Sequence, residues 1–402
     1  MSSGLNLAIV VQRYGEGVVG GSEEHCRSIA QRLAEKHRVT VLTSRARDYV
    51  TWKPEFRAGQ SKDGPVLVRR FNNRRRRKAR WFEINEMMLS EDILPEEEEE
   101  WFRENGPRTP GLLEYLERHG DEFDAVFFWT FRYYPSYFGL PVVADRAILV
   151  PTAEDDPAIR LGSLREYFGL PKGCLFLTPE ERDLVSARVD TLPPPSEVIG
   201  SGLHPAAGEP ADAESILARF GIEGPYALYL GRVDLNKGCA SMFWNYLKYV
   251  ASTESPIPLV VAGRAVMEIP KSPHIRALGY VSDEERETLL NRARLLVMPS
   301  PYESLSIALL EAWNHSRPAL VNGRCKVLRG QVVRANGGLY YDNPDEFVET
   351  LGYLVENPDT ADQLGRQGLE YVEKSYRWPV VMKKVEDFLQ QLVANGQKDQ
   401  RV

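Results

Sequence analysis

The sequence predicts an α/β protein built from two domains, each containing a doubly wound parallel sheet. Three observations lead to this prediction. The 402 residues are enough for two domains of ordinary size. Short apolar strands alternate with helix-period stretches through both halves of the chain. A proline-rich stretch, Leu192-Pro193-Pro194-Pro195-Ser196, lies between the halves, and domain boundaries prefer such segments.

The first half opens with a βαβ unit. The apolar run Leu5 to Val11 is typical of a buried parallel strand, and a glycine-rich loop, 14–23, follows it. A helix-period stretch then leads to a second strand at 37–43. Between about Asp48 and Pro110 the pattern breaks down, and we interpret this segment as an insertion of loops and helices outside the sheet. Further strands are predicted at 125–129, 147–151 and 174–178, and a helix is predicted to begin at Pro179.

The second half repeats the alternation of strands and helices. Strands are predicted at 226–230, 259–262, 277–281, 295–298 and 319–321, and closing helices near 344–356, 360–375 and 379–393. We therefore expect two Rossmann-like domains facing a cleft, which is the usual place for a ligand in such proteins.

Composition excludes several classes of protein. With 50 Lys+Arg against 57 Asp+Glu, the net charge of −7 argues against a general nucleic-acid partner. No apolar run reaches the 18 or so residues of a membrane helix, and residues 1–8 do not resemble a secretory signal. The four cysteines form no CxxC or Cys/His cluster, which argues for a reducing cytoplasm and against a metal site. They are Cys26, Cys174, Cys239 and Cys325.

The strongest local motif is Gly231-Arg232-Val233-Asp234-Leu235-Asn236-Lys237-Gly238. The predicted strand ends at Gly231 and the next helix should begin near Cys239, so Arg232 and Lys237 lie in a strand-to-helix loop. Helix N-termini and nearby cations favour anions, usually phosphate, which an arginine binds in a forked geometry and a lysine as a point charge. The alternative is a pair of surface cations beside a turn.

A second motif runs from Glu303 into an apolar helix that contains Glu311. An unpaired carboxylate inside such a helix would be costly, so Glu311 needs a partner, for which a polyhydroxyl ligand is one candidate. Eight helical residues rise about 12 Å, so the two carboxylates could contact two ends of one elongated ligand. The amides of Ser304, Leu305 and Ser306 are expected at the helix start, where they can face an oxygen-rich group. Alternatively, Glu303 caps the helix and Glu311 pairs with an arginine.

Together these two motifs resemble those of the GT-B-fold, retaining glycosyltransferases of family 4 (glycosyl transferases group 1). The family's G-R-x-x-x-x-K-G loop and its E-x7-E motif are matched by 231–238 and 303–311. Gly20-Gly21-Ser22-Glu23 is similar to its N-terminal G-G-x-E, and 198–202 is similar to its interdomain hinge. The resemblance implies an acceptor domain over 1–197, a donor domain over 198–377, and a last helix, 378–402, that crosses back to the N-terminal domain.

The resemblance also implies roles for individual residues. Arg232 and Lys237 would hold the donor diphosphate and neutralise the leaving group, and Glu311 would bind the ribose. Glu303 would hold the donor sugar together with the amides of Ser304–Ser306. Donor contacts are also implied for Gly231, Gly263, the backbone around Tyr280, and the flexible pair Gly20 and Gly21.

Two features depart from the family pattern. Family members often have glycines where Ser304 and Ser306 stand, so this loop is bulkier. Many members also carry a histidine just after the strand at 147–151, where this chain has no histidine and Glu154 is the best positional match. Glu154 could hydrogen-bond a donor hydroxyl or the acceptor, or it could belong to an acidic turn that caps a helix. Glu23 and His25 are the candidate acceptor residues, although His25 is expected on a helix surface.

The expected enzyme needs no metal and no cofactor. No D-x-D spacing occurs in the chain, so a metal-bridged diphosphate is not expected, and Arg232 and Lys237 would replace the metal. The donor would be a UDP- or GDP-sugar, and the acceptor a saccharide or a lipid-linked glycan in polysaccharide or glycoconjugate biosynthesis. We expect a cytoplasmic enzyme with an optional peripheral contact to the inner face of the membrane.

A basic run, Arg74 to Lys78, precedes an acidic run, Glu96 to Glu100. The basic run could attract an anionic headgroup or a phosphorylated acceptor, whereas two solvated faces of opposite charge are the simpler interpretation.

Three alternative functions share some of these features with the transferase. A nucleotide-sugar epimerase shares the GT-B fold but not this pair of motifs. A non-catalytic nucleotide-sugar binder would account for the absent histidine. A dinucleotide-dependent dehydrogenase is excluded, because the loop at 14–23 matches G-x-G-x-x-G only loosely and no acidic residue closes the second strand.

Overall fold

A computed structural model describes residues 4–73, 79–193 and 195–399. These residues form two compact units, one up to Gly200 and again from Met382 onward, the other from Ser201 to Val381. The basic run Arg74–Lys78, and with it the predicted anionic contact, lies outside the described residues.

The first unit is built on an eight-stranded sheet. Seven strands are parallel, and the edge strand β3 pairs antiparallel with β4. The order across the sheet is β3-β4-β2-β1-β5-β6-β7-β8. The strands are β1 (Asn6–Val11), β2 (Arg38–Ser44), β3 (Gly59–Asp63), β4 (Val66–Phe71), β5 (Ala125–Trp129), β6 (Ala147–Val150), β7 (Gly173–Phe176) and β8 (Ser196–Val198).

Seven helices accompany this sheet among the residues described up to Gly200. Apolar side chains from β1, β5 and β6, among them Val10, Phe128 and Leu149, are fully buried in one core with Phe102 and Leu112 from two of the helices. Burial of this apolar surface stabilises the unit. The helices are α1 (Gly21–Leu33), α2 (Ala79–Leu89), α3 (Pro95–Asn105), α4 (Pro110–His119), α5 (Tyr134–Gly139), α6 (Leu164–Tyr167) and α7 (Pro179–Ser186).

The prediction that residues 48–110 lie outside the sheet is wrong for two strands, β3 and β4. In β4, every second residue is buried, namely Val66, Val68 and Arg70, and the strand pairs parallel with β2. The strand is not obvious in the sequence because an arginine occupies one of its inward positions. Four of the five residues of β3 are exposed and the fifth is half-buried, so β3 has no apolar alternation to predict it.

The acidic run is only partly a solvated face. Glu98, on α3, is buried, and its carboxylate accepts the backbone N–H of Gly162 at 2.8 Å and that of Ser163 at 2.7 Å. These bonds connect α3 to the turn before α6. Glu98 is therefore a structural carboxylate, because a buried charge needs such partners.

The second unit contains a six-stranded, wholly parallel sheet in the order β11-β10-β9-β12-β13-β14. Its strands are β9 (Ala227–Leu230), β10 (Leu259–Ala262), β11 (Ile275–Gly279), β12 (Leu295–Met298), β13 (Ala319–Asn322) and β14 (Gly338–Tyr341). Its helices are α8 (Ala213–Arg219), α9 (Cys239–Ser252), α10 (Asp283–Arg292), α11 (Ile307–Asn314), α12 (Lys326–Ala335), α13 (Pro344–Glu356) and α14 (Pro358–Ser375).

The last helix, α15 (Trp378–Asp399), begins in the second unit and continues in the first. Its Glu386 contacts His37 Nε2 at 3.1 Å, and its Lys384 Nζ donates to the Val198 carbonyl at 2.9 Å. Within the described residues, no helix is long and apolar enough to cross a membrane.

Candidate functional site

The loop between β9 and α9 carries Arg232 and Lys237. It leaves the strand after Leu230, makes a short 3₁₀ turn at Leu235–Lys237, and enters α9 at Cys239, where the sequence predicts the helix to begin. Gly238 has φ +72°, and a Cβ there would overlap the Pro299 carbonyl. This position therefore requires glycine, because the backbone of the loop after β12 passes so close to it.

Both cationic side chains of this loop form ion pairs with nearby carboxylates. Lys237 Nζ lies 2.8 Å from Glu303 Oε1, and Arg232 Nε lies 2.7 Å from Asp234 Oδ2. About a third of each cationic side chain is exposed to solvent. The structure thus brings the two sequence motifs together: the Lys237 ammonium is already next to Glu303, and both cations are accessible.

The residues after Glu303 form a strained turn. Ser306 is the N-cap of α11, with its Oγ accepting the Leu309 N–H at 3.4 Å, so the alternative in which Glu303 caps this helix is wrong. Ser306 has φ +79°, a left-handed value uncommon in residues other than glycine. Because α11 begins only at Ile307, the amides of Ser304–Ser306 lie in the preceding turn. This turn is held by the buried Gln331, which donates to the Leu305 carbonyl.

Glu311 lies on α11 and is largely buried, with 18% of its side chain exposed. Burial raises the pKa of its carboxyl, and the nearby Arg286 guanidinium opposes that shift. Arg286 Nη1 is 3.6 Å from Glu311 Oε1. The expected arginine neighbour is therefore present, at a distance longer than a good charge-assisted hydrogen bond.

The strand predicted at 277–281 is displaced by two residues. It ends at Gly279, which has φ +73° and accepts the Gly263 N–H at 2.7 Å. Tyr280 consequently lies in the loop before α10, with 80% of its surface exposed. Gly231 donates to the Ala262 carbonyl at 2.9 Å, so the ends of β9, β10 and β11 are adjacent.

In the first unit, Gly20 and Gly21 stand where α1 begins. Glu23 is buried, and its Oε1 accepts from Gln12 Nε2 at 2.8 Å and from Arg13 Nη2 at 2.5 Å. A Cβ on Gly20 would overlap Glu23 Oε2. The glycine at position 20 therefore makes room for a carboxylate whose other oxygen is fixed by Arg13.

His25 is not a helix-surface residue, contrary to the expectation. It is 3% exposed and meets Trp129 edge-on, with ring centroids 5.2 Å apart. Burial lowers the pKa of its imidazole to about 4, so the ring is neutral at neutral pH. It faces the core because it lies on the same side of α1 as Ile29.

Glu154 lies in the loop after β6 and is half-buried. Thr152 in this loop has φ +46°, and Asp156 pairs with Arg132 at 2.8 Å. Both Asp156 and Glu154 act electrostatically on the Arg132 guanidinium. Glu154 is therefore part of a charged cluster that follows β6 at the carboxyl end of the sheet.

The carboxylate of Glu181 fixes the backbone of this loop, although no sequence motif identified the residue. Glu181 is fully buried on α7 and accepts the N–H groups of Ala153 at 2.7 Å and Leu177 at 2.6 Å. Its own N–H donates to the N-cap hydroxyl of Thr178 at 3.1 Å. Burial outweighs these bonds and raises the pKa of the Glu181 carboxyl to about 8.

A raised folded-state pKa makes stability depend on pH. The contribution of Glu181 is fully present below the unfolded-state pKa of about 4.5 and is lost as pH rises through about 8. We expect the free energy of unfolding to fall by about 1 kcal/mol per pH unit between pH 5.5 and 7.5 relative to Glu181→Gln, which cannot titrate. Urea denaturation at several pH values measures this difference.

Thr178→Ala is the control, because losing the cap costs about 1 kcal/mol at every pH. Parallel pH profiles for the wild type and Glu181→Gln would contradict the prediction.

Among the described residues, no group of three or more His, Cys, Asp and Glu side chains is arranged to hold a metal ion. The four cysteines are free and buried.

Comparisons with known proteins agree with this architecture. Residues 214–371 match the family described as glycosyl transferases group 1. Over 122 residues the chain is 29% identical to the O-antigen chain mannosyltransferase B of Escherichia coli, a match that covers 28% of this chain and 32% of the relative. The chain thus spans about a third of that relative's length.

Solved structures match nearly the whole chain. Sucrose-phosphate synthase from Thermosynechococcus elongatus has a TM-score of 0.72 at 15% identity, covering 97% of this chain and 100% of that one. The HepE protein of Anabaena in complex with UDP and glucose has a TM-score of 0.68 at 11% identity, with coverages of 96% and 100%. WaaG, a glycosyltransferase involved in lipopolysaccharide biosynthesis, has a TM-score of 0.67 at 14% identity, with coverages of 95% and 99%.

These neighbours confirm the predicted fold class, an α/β protein with the two Rossmann-like domains of the GT-B fold. The family match and the structural neighbours together support a GT-B glycosyltransferase.

Proposed function

We propose that this protein is a retaining, metal-independent glycosyltransferase of family 4. It would move a sugar from a nucleotide-diphosphate donor, a UDP- or GDP-sugar, to a saccharide or lipid-linked acceptor in polysaccharide or glycoconjugate biosynthesis. The proposed location is the cytoplasm, with peripheral contact to the inner face of the membrane as an option. The observation that carries the proposal is the pairing of Lys237 with Glu303, which joins the two motifs in one place.

The leaving group of this reaction is a nucleoside diphosphate, so its departure is accelerated by fixed positive charge at the phosphates. Arg232 and Lys237 can supply that charge from one loop. When a diphosphate binds, it would compete with Glu303 for the Lys237 ammonium and leave the Glu303 carboxylate to accept from sugar hydroxyls. Glu311 lies on α11 with a largely buried carboxylate, which would accept hydrogen bonds from the ribose hydroxyls.

The first unit would supply the remaining groups. The Gly20–Gly21 turn would approach the donor phosphates, and Oε2 of Glu23, beside Gly20, would face a hydroxyl of the substrate. Glu154 would hydrogen-bond the donor sugar or the acceptor nucleophile in place of the absent histidine. His25 is buried and neutral, so we assign it no contact with the acceptor.

A thermal-shift screen of UDP, GDP, ADP and dTDP tests the donor site. A ligand at a hundred times its Kd stabilises the folded state by about 2.7 kcal/mol. The nucleoside diphosphate with the matching base should therefore raise the melting temperature by several degrees. The shift should persist in EDTA, and the corresponding sugar nucleotide should slowly release its nucleoside diphosphate. Stabilisation without release would favour the non-catalytic binder, and no shift with any nucleotide would refute a donor site.

A further inference from the structure

Arg286 has not been given a role by any motif, yet it lies beside the carboxylate proposed to bind ribose. It belongs to the first half of α10, the helix that follows the exposed loop at Tyr280. Its Nη1 is 3.6 Å from Glu311 Oε1, and its Nη2 is 3.5 Å from Asp283 Oδ1. About a third of the Arg286 side chain, 36%, is exposed to solvent.

The hydrogen-bonding capacity of Arg286 is largely unused. Nε is buried, and no acceptor lies within hydrogen-bond distance of it among the described residues. The two ion-pair distances are longer than the 2.7–2.9 Å typical of charge-assisted hydrogen bonds. A guanidinium has five N–H donors, and a buried donor without an acceptor is costly. An oxygen-rich ligand beside the exposed third of this side chain would give the guanidinium further acceptors.

Glu311 and Arg286 have complementary hydrogen-bonding roles. Its largely buried carboxylate can only accept when ionised, whereas Arg286 can only donate. A ligand that contacts both must therefore present a hydroxyl to one and an oxygen acceptor to the other. A nucleoside has both in a small volume, namely the ribose hydroxyls and the carbonyl or ring oxygens.

The position of α10 after β11 favours a contact of Arg286 with the nucleoside rather than with the phosphates. The proposed diphosphate cations follow β9, whereas α10 follows β11, which is two strands away. The carboxyl ends of parallel strands all open at one edge, so an extended nucleotide can reach both loops from one binding mode.

We propose that Arg286 is a nucleoside-binding residue of the donor site, donating to an oxygen of the ribose or base while Glu311 accepts from a ribose hydroxyl. This inference rests on the proposed function. It assigns base or ribose recognition to a side chain of α10 in addition to the motif residues.

Binding measurements separate this role from a purely structural contact between α10 and α11. The ligands are the nucleoside diphosphate that stabilises the wild type, the matching nucleoside, and inorganic pyrophosphate. Arg286→Ala should weaken binding of the first two by about 10- to 100-fold and leave pyrophosphate unchanged, since a hydrogen bond to a charged group is of that size. Arg286→Lys should recover part of the loss, because it keeps the charge but not the fork.

Arg292→Ala is the matched control, because Arg292 lies on the same helix and pairs with the surface carboxylates of Glu209 and Glu214. It should bind all three ligands as the wild type does. Unchanged nucleotide affinity in Arg286→Ala, or an equal loss for pyrophosphate and nucleotide, would overturn the inference while leaving the proposed function intact. A wild type that binds no nucleoside diphosphate would refute both.

Discussion

Replacing Lys237 by alanine is expected to slow nucleoside-diphosphate release from the donor by two to three orders of magnitude. Removing one fixed group that stabilises transition-state charge typically costs ~10²–10³ in rate. The loss should be larger here than for an isolated lysine, because Glu303 has only 11% of its side chain exposed and would become an uncompensated carboxylate next to the donor. The measurement is sugar-nucleotide hydrolysis, with kcat and KM determined separately.

Three further variants identify the cause of the loss. Lys248→Ala removes an exposed lysine of α9 that pairs with Asp345, and it should leave the rate unchanged. Lys237→Arg keeps the charge and should retain more activity than Lys237→Ala. Glu303→Gln in the Lys237→Ala background removes the unpaired carboxylate and should restore part of the nucleotide affinity. A wild-type rate in Lys237→Ala would defeat the assignment of the diphosphate to this loop.

The sequence predicts four of the six strands of the second unit to within one residue because its information there is local, whereas it displaces β11 by two residues and does not predict β14. Apolar runs such as Leu295–Met298 define buried strands, and the loops that carry the two motifs begin where such runs end. The motifs lie in these loops, so their residue spacing alone places Lys237 near the start of α9. In a parallel sheet the loops after neighbouring strands meet at one edge, which is why Lys237 and Glu303 come together.

The partners of buried charges could not be predicted in this way. Glu181 accepts from Ala153, 28 residues away, and Arg286 faces Glu311, which lies on a different helix. Nothing in the spacing of one sequence specifies such long-range pairs. The sequence does not predict β3 for a different reason, since an exposed edge strand has no buried face and therefore no alternation.

The sequence also does not predict the buried pair of Arg13 and Glu23, which supports the glycine turn at the start of α1. Arg13 is 5% exposed and Glu23 is 6% exposed. Besides its bonds to Glu23, Arg13 donates through Nη1 to the Arg47 carbonyl at 2.8 Å and through Nη2 to the Val19 carbonyl at 3.3 Å. One guanidinium thus joins the glycine-rich loop, the segment after β2 and helix α1.

Replacing Arg13 by leucine is expected to destabilise the first unit by about 3–5 kcal/mol, because Glu23 would remain as a buried charge without its cation. Gln12 would still donate to Glu23 Oε1, but an amide does not neutralise a carboxylate. Urea denaturation at neutral pH measures the loss, and the double variant Arg13→Leu with Glu23→Leu should recover most of it, since no buried charge is left. A loss below about 1 kcal/mol in Arg13→Leu would mean that water or another cation compensates Glu23. If the double variant regains stability but not donor hydrolysis, the reaction depends on the pair itself, which supplies the Glu23 carboxylate and holds the turn at Gly20.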